Sequence, residues 1–268
     1  MLLTCTRERS RYNTMMSVIE NLKQHPDFKS LDSDLIVFDN ASTFEDTKQV
    51  LHTSFTHVVD AQDNYGYWGA IGWVVRNVSA VLGKKYDYLY LIESDQIHYD
   101  WDGLDKAERF LDNHRKIDSV RVREFSVTEA HLYDKEKHLP DSRRWAWCTQ
   151  KNPFTGKRVT FEKSDEEGIY LTNFTTLPPS INRLSLMCKA FDHLENLEAF
   201  TERDFWAACH AVNPVVALLD KGICHAKLGY ASDVVSSHYT SIDTLKKNGY
   251  VKCEESLRLD LKGIKVVY

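Results

Sequence analysis

The chain has no excess of positive charge. Its 34 Lys and Arg are outnumbered by 39 Asp and Glu, for a net charge of −5. Proteins that hold nucleic acid by its phosphates are normally basic, so nucleic acid is not an expected partner. No apolar run approaches the roughly 20 residues that cross a bilayer, and no basic leader with an apolar segment is present. The expectation is a cytoplasmic protein with no integral membrane segment. Cysteine is sparse: Cys5, Cys148, Cys188, Cys209, Cys224 and Cys253, with no C-x-x-C pair. That excludes the usual spacing of a structural zinc site. Most of these residues fall in apolar stretches, which favours buried free thiols. The sequons at Asn40, Asn77 and Asn173 carry no meaning without a secretory signal. There is no internal repeat and no low-complexity tract.

What is present suits a large α/β domain. At 268 residues, 43% hydrophobic and 12% aromatic, the chain can bury a sizeable core. Leu2 to Thr6 reads as a first strand. Tyr12, Met15, Met16, Ile19 and Leu22 recur at helical spacing, and His25-Pro26 closes that helix. Asp34 to Phe38 and Thr56 to Val59 read as further strands, and Ile71, Val74, Val75, Val78 and Leu82 as an amphipathic helix. The apolar run Tyr86 to Ile92 reads as one core strand. Strands alternating with helices imply a mostly parallel, doubly wound sheet. Further on, the spacing predicts a helix over Leu104 to Leu111 and one over Thr201 to Val212. Strands are predicted over Ser119 to Val122, Ile169 to Phe174, Leu184 to Cys188 and Ser232 to Tyr239. Residues 131–168 show no period, as in a functional loop.

Every early strand ends in polar or acidic residues, and in open α/β sheets those ends face the ligand crevice. Three segments stand out. Glu93-Ser94-Asp95 follows the core strand, and two carboxylates so placed can hold a divalent cation, which can hold a diphosphate. A plain strand exit would also use Asp and Ser. Asp39-Asn40-Ala41-Ser42 follows the second strand, where Asp39 can accept a hydrogen bond from a base N–H or a ribose hydroxyl. A plain turn is the competing reading. Asn64-Tyr-Gly66-Tyr67-Trp-Gly69-Ala-Ile-Gly72 opens a helix, where glycine permits close backbone approach and the helix start offers an anion site. The glycine spacing is not the dinucleotide fingerprint.

In this order the motifs resemble the GT-A nucleotide-sugar glycosyltransferases, and among them the large family 2 type. The resemblance covers residues 1–100 well and the remainder loosely. The opening T-x-x-N-R turn of that family is matched by Thr4, Thr6 and Arg9, with its Asn missing. D-N-x-S is matched by Asp39, Asn40 and Ser42. N-x-G-(F/Y)-x-G-G is matched by Asn64, Gly66, Tyr67 and Gly69. The D-x-D metal motif is matched by Glu93, Ser94 and Asp95, with Glu in the first place. The resemblance implies a single GT-A domain over 1–268, with a Rossmann-like, mostly parallel central sheet flanked by helices and a smaller C-terminal acceptor part. Residues 1–100 would be the nucleotide-sugar-binding half and 101–268 the acceptor-binding half.

The resemblance also implies a ligand set. Asp95, Glu93 and His238 would hold Mn²⁺ or Mg²⁺, with His225 as the next candidate for the histidine. The family places an acidic general base near the start of a later helix, matched here by Glu202 or Asp204. Thr201 and Asp204 also fit a T-x-x-D capping box; that reading occupies Asp204 and favours Glu202 as base. Trp145 and Trp147 offer flat apolar faces to a sugar acceptor or a lid, or anchor the long loop.

The expected activity is transfer of a sugar from a UDP-, GDP- or dTDP-sugar to a hydroxyl acceptor (glycan, lipid-linked or other), with inversion. A sugar nucleotidyltransferase is the first alternative. It would need a Gly-rich basic loop after the first strand, and no glycine precedes Gly66. A non-catalytic nucleotide-sugar-binding module is the second, and the intact acidic pair and Glu202 count against it.

Overall fold

Alternation in the first three strands decides the layering. Leu2, Val37 and Val58 pack on one face of a sheet with Met15, Val18, Ile19, Leu22 and Leu51. Leu3, Phe38 and Val59 pack on the other face with Ile71, Val74 and Val78. Side chains one residue apart on a strand point to opposite faces, so the sheet is covered on both sides. The computed structural model describes residues 1–94, 96–98, 100–122, 155–157, 160–173, 180–194, 202–219, 224–226 and 264–267. For 10, 68, 161, 202–206, 224–226 and 264–267 the backbone alone is described.

The described elements run β1 (Leu2–Thr4), α1 (Arg9–Lys23), α2 (Phe28–Ser33), β2 (Ile36–Asp39), α3 (Thr47–Ser54), β3 (His57–Ala61), α4 (Gly66–Leu82), β4 (Tyr88–Tyr90), β5 (Ile92–Glu93) and β6 (Gln96–His98). Then come α5 (Asp102–Asn113), β7 (Ser119–Arg121), β8 (Phe161–Lys163), β9 (Ile169–Thr172), β10 (Ser180–Arg183), α6 (Leu184–Leu194), α7 (Glu202–Ala211), β11 (Val216–Leu219), β12 (Cys224–Ala226) and β13 (Ile264–Val267).

The central sheet has the order β13-β3-β2-β1-β5. Its β1/β2, β2/β3 and β1/β5 pairs are parallel, and β13 closes the edge antiparallel to β3. The parallel, doubly wound sheet read from sequence is present. A second sheet, β4-β10-β7-β11-β9-β8, is antiparallel except at β7/β11. Helix α5 covers it, burying Ala107, Phe110 and Leu111 against Val120, Ile181 and Ala217.

Three expectations need correction. The run Tyr86 to Ile92 is not one strand of one sheet. Tyr88–Tyr90 pairs with β10, the chain steps across at Leu91, and Ile92–Glu93 pairs with β1. Apolarity marks burial and says nothing about which neighbour is paired, so the crossing was invisible in sequence. Leu184 to Cys188 is helix, since the strand lies just before it at Ser180–Arg183. Leu186, Met187, Ala190 and Phe191 are the buried positions, a helical i, i+1, i+4, i+5 stripe. Of the described cysteines, Cys209 is buried, Cys5 is half-buried and Cys188 is exposed. The aperiodic stretch 131–168 includes β8. Ser232 to Tyr239 lies outside the described residues.

Among the described residues, no helix is long and apolar enough to cross a membrane.

Candidate functional site

The carboxyl ends of β1, β2 and β5 lie side by side. Thr4 is in register with Asp39, and Leu3 with Glu93. That brings three of the sequence motifs to one edge of the sheet.

The loops above this edge are tied by hydrogen bonds from the motif residues themselves. The Thr6 amide donates to Ser42 Oγ at 2.7 Å, and the Ser42 amide donates to Asp39 Oδ1 at 3.1 Å. The amides of Thr43 and Phe44 both donate to the Thr6 carbonyl. Thr4 Oγ1 lies 3.2 Å from Thr6 Oγ1, whose hydroxyl also faces Met15 Sδ at 3.6 Å. Arg9 opens α1 and is exposed, with its guanidinium 5.2 Å above the Phe44 ring. The first turn and the Asp39–Ser42 turn therefore form one unit.

Asn40 and Asn64 extend that unit to α4. Asn40 Nδ2 donates to Asn64 Oδ1 at 2.9 Å and to the Gly66 carbonyl at 3.0 Å. Its Oδ1 accepts the Tyr65 amide at 2.9 Å, and Asn64 Oδ1 also accepts the Gly66 amide at 2.9 Å. Both Asn40 donors and its acceptor are thus engaged by the scaffold. Gly66 has φ 69°, a left-handed value that glycine adopts without a Cβ penalty. Tyr67 and Gly69 fall in the first turn of α4, where Gly69 is buried. Asn40→Ala should strand the buried Tyr65 amide and cost about 2 kcal/mol of stability. A urea melt reads this, as a lower midpoint with an unchanged slope.

Asp39 is fully buried. Its Oδ2 has no hydrogen-bond partner and is closed to water. Burial pushes its carboxyl above the usual range; the Ser42 bonds oppose this, and the nearby Asp60 charge adds to it.

Glu93 ends β5 and Ser94 lies in the turn beyond it. The Glu93 amide donates to Gln96 Oε1, and Gln96 Nε2 donates to Glu93 Oε2, both at 3.1 Å. Gln96 is fully buried, so one fixed side chain holds Glu93 at both backbone and carboxylate. The strand after the turn is clamped in the same way. Asn21 Nδ2 donates to the His98 carbonyl and Asn21 Oδ1 accepts the His98 amide, each at 2.7 Å. The His98 ring stacks on Trp101 at 4.4 Å, and burial pushes its pKa down to about 3. Neither Asn21 nor Gln96 stood out in the sequence. Each is a single polar residue beside an apolar pattern, with no motif to mark it.

Asp95, His238, Trp145 and Trp147 lie outside the described residues. Pairing of β12 with β6 puts the His225 backbone opposite Ile97, two residues beyond Asp95. Glu202 is the first residue of α7 and Asp204 its third. Among the described residues, no three His, Cys, Asp or Glu side chains converge as a metal cluster.

No family model matches the chain, and no curated protein matches it by sequence. Among solved structures, GalNAc-T7 with UDP, GalNAc and Mn²⁺ matches with a TM-score of 0.52 and 9% identity, over 84% of this chain and 42% of that one. The chain has the GT-A fold. S. aureus TarS, residues 1–349, also matches, with a TM-score of 0.48 and 15% identity over 84% of this chain and 60% of that one. The GT-A chain thus spans less than two thirds of either structure. At these identities the likeness speaks for the fold alone.

Proposed function

We propose that this GT-A chain is a glycosyltransferase. It moves a sugar from a nucleoside diphosphate sugar to a hydroxyl acceptor, with inversion and with a divalent cation. The observation that carries this is the register of β2, β1 and β5, which aligns Asp39, the Thr4–Arg9 turn and Glu93 along one carboxyl edge. Ligands of open α/β sheets bind outside that edge.

In this reading Asp39 and the Thr6–Arg9 turn hold the nucleoside. The start of α4 faces the diphosphate, as a helix N-terminus favours anions. Glu93 and Asp95 would hold Mn²⁺ or Mg²⁺. Carboxylate oxygens at a strand end suit these hard cations, and Gln96 fixes one of them in place. When bound, the cation would neutralise charge on the leaving diphosphate. His238 or His225 would complete the set; the β12/β6 register favours His225. Glu202 would take the acceptor hydroxyl proton, with Asp204 as the alternative. Trp145 and Trp147 would pack on the acceptor.

A screen of nucleotide sugars with Mn²⁺, reading nucleoside diphosphate release, tests the activity. Asp95→Ala should lose most of the metal-dependent nucleotide affinity while keeping its melting temperature. Calorimetry with Mn²⁺ that finds unchanged binding in this variant would remove the metal assignment.

A further inference from the structure

Asp60 is the last residue but one of β3, in register with Asp39, and the two lie on the same face of the sheet as Val58 and Val37. Asp60 Oδ2 lies 2.9 Å from His52 Nε2 of α3, which holds one side of that carboxylate. Its Oδ1 has no hydrogen-bond partner and is closed to water, as is Asp39 Oδ2. Thr47, the first residue of α3 and fully buried, has an unpartnered hydroxyl as well. Two neighbouring strand ends thus carry two unmet acceptors, and buried acceptors are rarely left unmet. When ionised, carboxylates accept only, so a ligand that binds the ionised pair brings two donors.

We propose that Asp39 and Asp60 together read the base of the donor, and that the base is guanine. The proposal rests on the transferase reading above. Guanine presents N1–H and the 2-amino group on one edge, one donor for each carboxylate. Uracil and thymine present a single N3–H between two carbonyl oxygens, so one carbonyl would be driven against the second carboxylate. Adenine and cytosine place a bare ring nitrogen beside their amine, with the same consequence. A site with fixed acceptors rejects a base that cannot satisfy them more strongly than it rejects a change of size. His52, held to Asp60 from α3, fixes the second acceptor in orientation. Both oxygens are closed to water here, so the base edge reaches them with a shift of the covering chain.

Calorimetry with saturating Mn²⁺ tests this on the full chain, using GDP, inosine diphosphate and UDP. Inosine diphosphate keeps N1–H and lacks the 2-amino group. GDP should bind about tenfold or more tighter than either of the others. In Asp60→Asn, GDP should fall toward inosine diphosphate while UDP holds. UDP binding as well as GDP would overturn the guanine assignment and leave the transferase reading standing. A GDP preference that Asp60→Asn leaves unchanged would overturn the role of Asp60. No binding of any of the three would overturn both readings. If the variant fails to fold, the ranking of the three nucleotides on the unaltered chain decides.

Discussion

Glu202→Gln should bind nucleoside diphosphate with unchanged affinity and lose turnover by about 10²–10⁴-fold, the usual loss when a general base is removed. The variant keeps the shape of the side chain and removes its capacity to take a proton. Helix α7 starts at Glu202, so this carboxylate belongs to a first turn, where the helix dipole favours an ionised acid. Asp204 stands at the third helical position, where a T-x-x-D capping arrangement with Thr201 would use it. Asp204→Asn should therefore lower the melting temperature more than Glu202→Gln does. Single-turnover assays beside thermal melts separate the roles. A stable, inactive Asp204→Asn with an active Glu202→Gln would exchange the two assignments. Normal turnover in both would move the base elsewhere and remove the argument for inversion.

How far the sequence could be read followed from what each signal measures. Hydrophobic period located α1, α4 and α5, because each buries one stripe against a sheet. The polar ends of β1, β2 and β3 were legible because a strand that leaves a core must end in groups that water or a ligand can satisfy. The step of the chain from β4 to β5 at Leu91 was not legible, since both strands are apolar and burial does not name a partner. Leu184 to Cys188 reads as a strand because five residues are too few to tell period 2 from 3.6: Leu184, Leu186 and Cys188 alternate, and the helical stripe shows only when Leu186 and Met187 are continued to Ala190 and Phe191. The polar clamps were missed for another reason. Asn21 satisfies backbone groups brought near only by the tertiary fold, His98 lying 77 residues from it, and Gln96 holds Glu93 across a short turn that carries no motif of its own. Asp60 was visible as an acid at a strand end. Its kinship with Asp39 appeared only once the β2/β3 register was known.

Arg183 is the other residue whose weight came only with the fold. Replacing it with Met should cost about 3–4 kcal/mol and lower the melting temperature by about 10 °C. Arg183 ends β10 with its side chain half-buried. Its Nη2 donates to the Leu111 carbonyl at 2.6 Å and reaches the His114 carbonyl at 3.4 Å, so it caps the last turn of α5. A cation there also meets the negative end of the helix dipole. Its Nε donates to the Ile117 carbonyl at 2.7 Å, and its Nη1 donates to the Tyr88 hydroxyl at 3.2 Å on β4. The guanidinium also lies 5.2 Å from the Tyr88 ring centroid. One side chain therefore joins α5, the α5–β7 turn and the strand that runs on into Glu93. Lysine should not restore the loss, because a single ammonium cannot reproduce a planar fork aimed at four separate acceptors. The same chain of contacts predicts a functional consequence short of unfolding. With β4 loosened, Glu93 should lose its fixed position, and Mn²⁺-dependent nucleotide binding should weaken in Arg183→Met at temperatures well below its melting point. Calorimetry at 10 °C below that midpoint, set beside the Asp95→Ala variant, distinguishes the cases. Full affinity in a destabilised Arg183→Met would show that the second sheet supports the fold without positioning the acids.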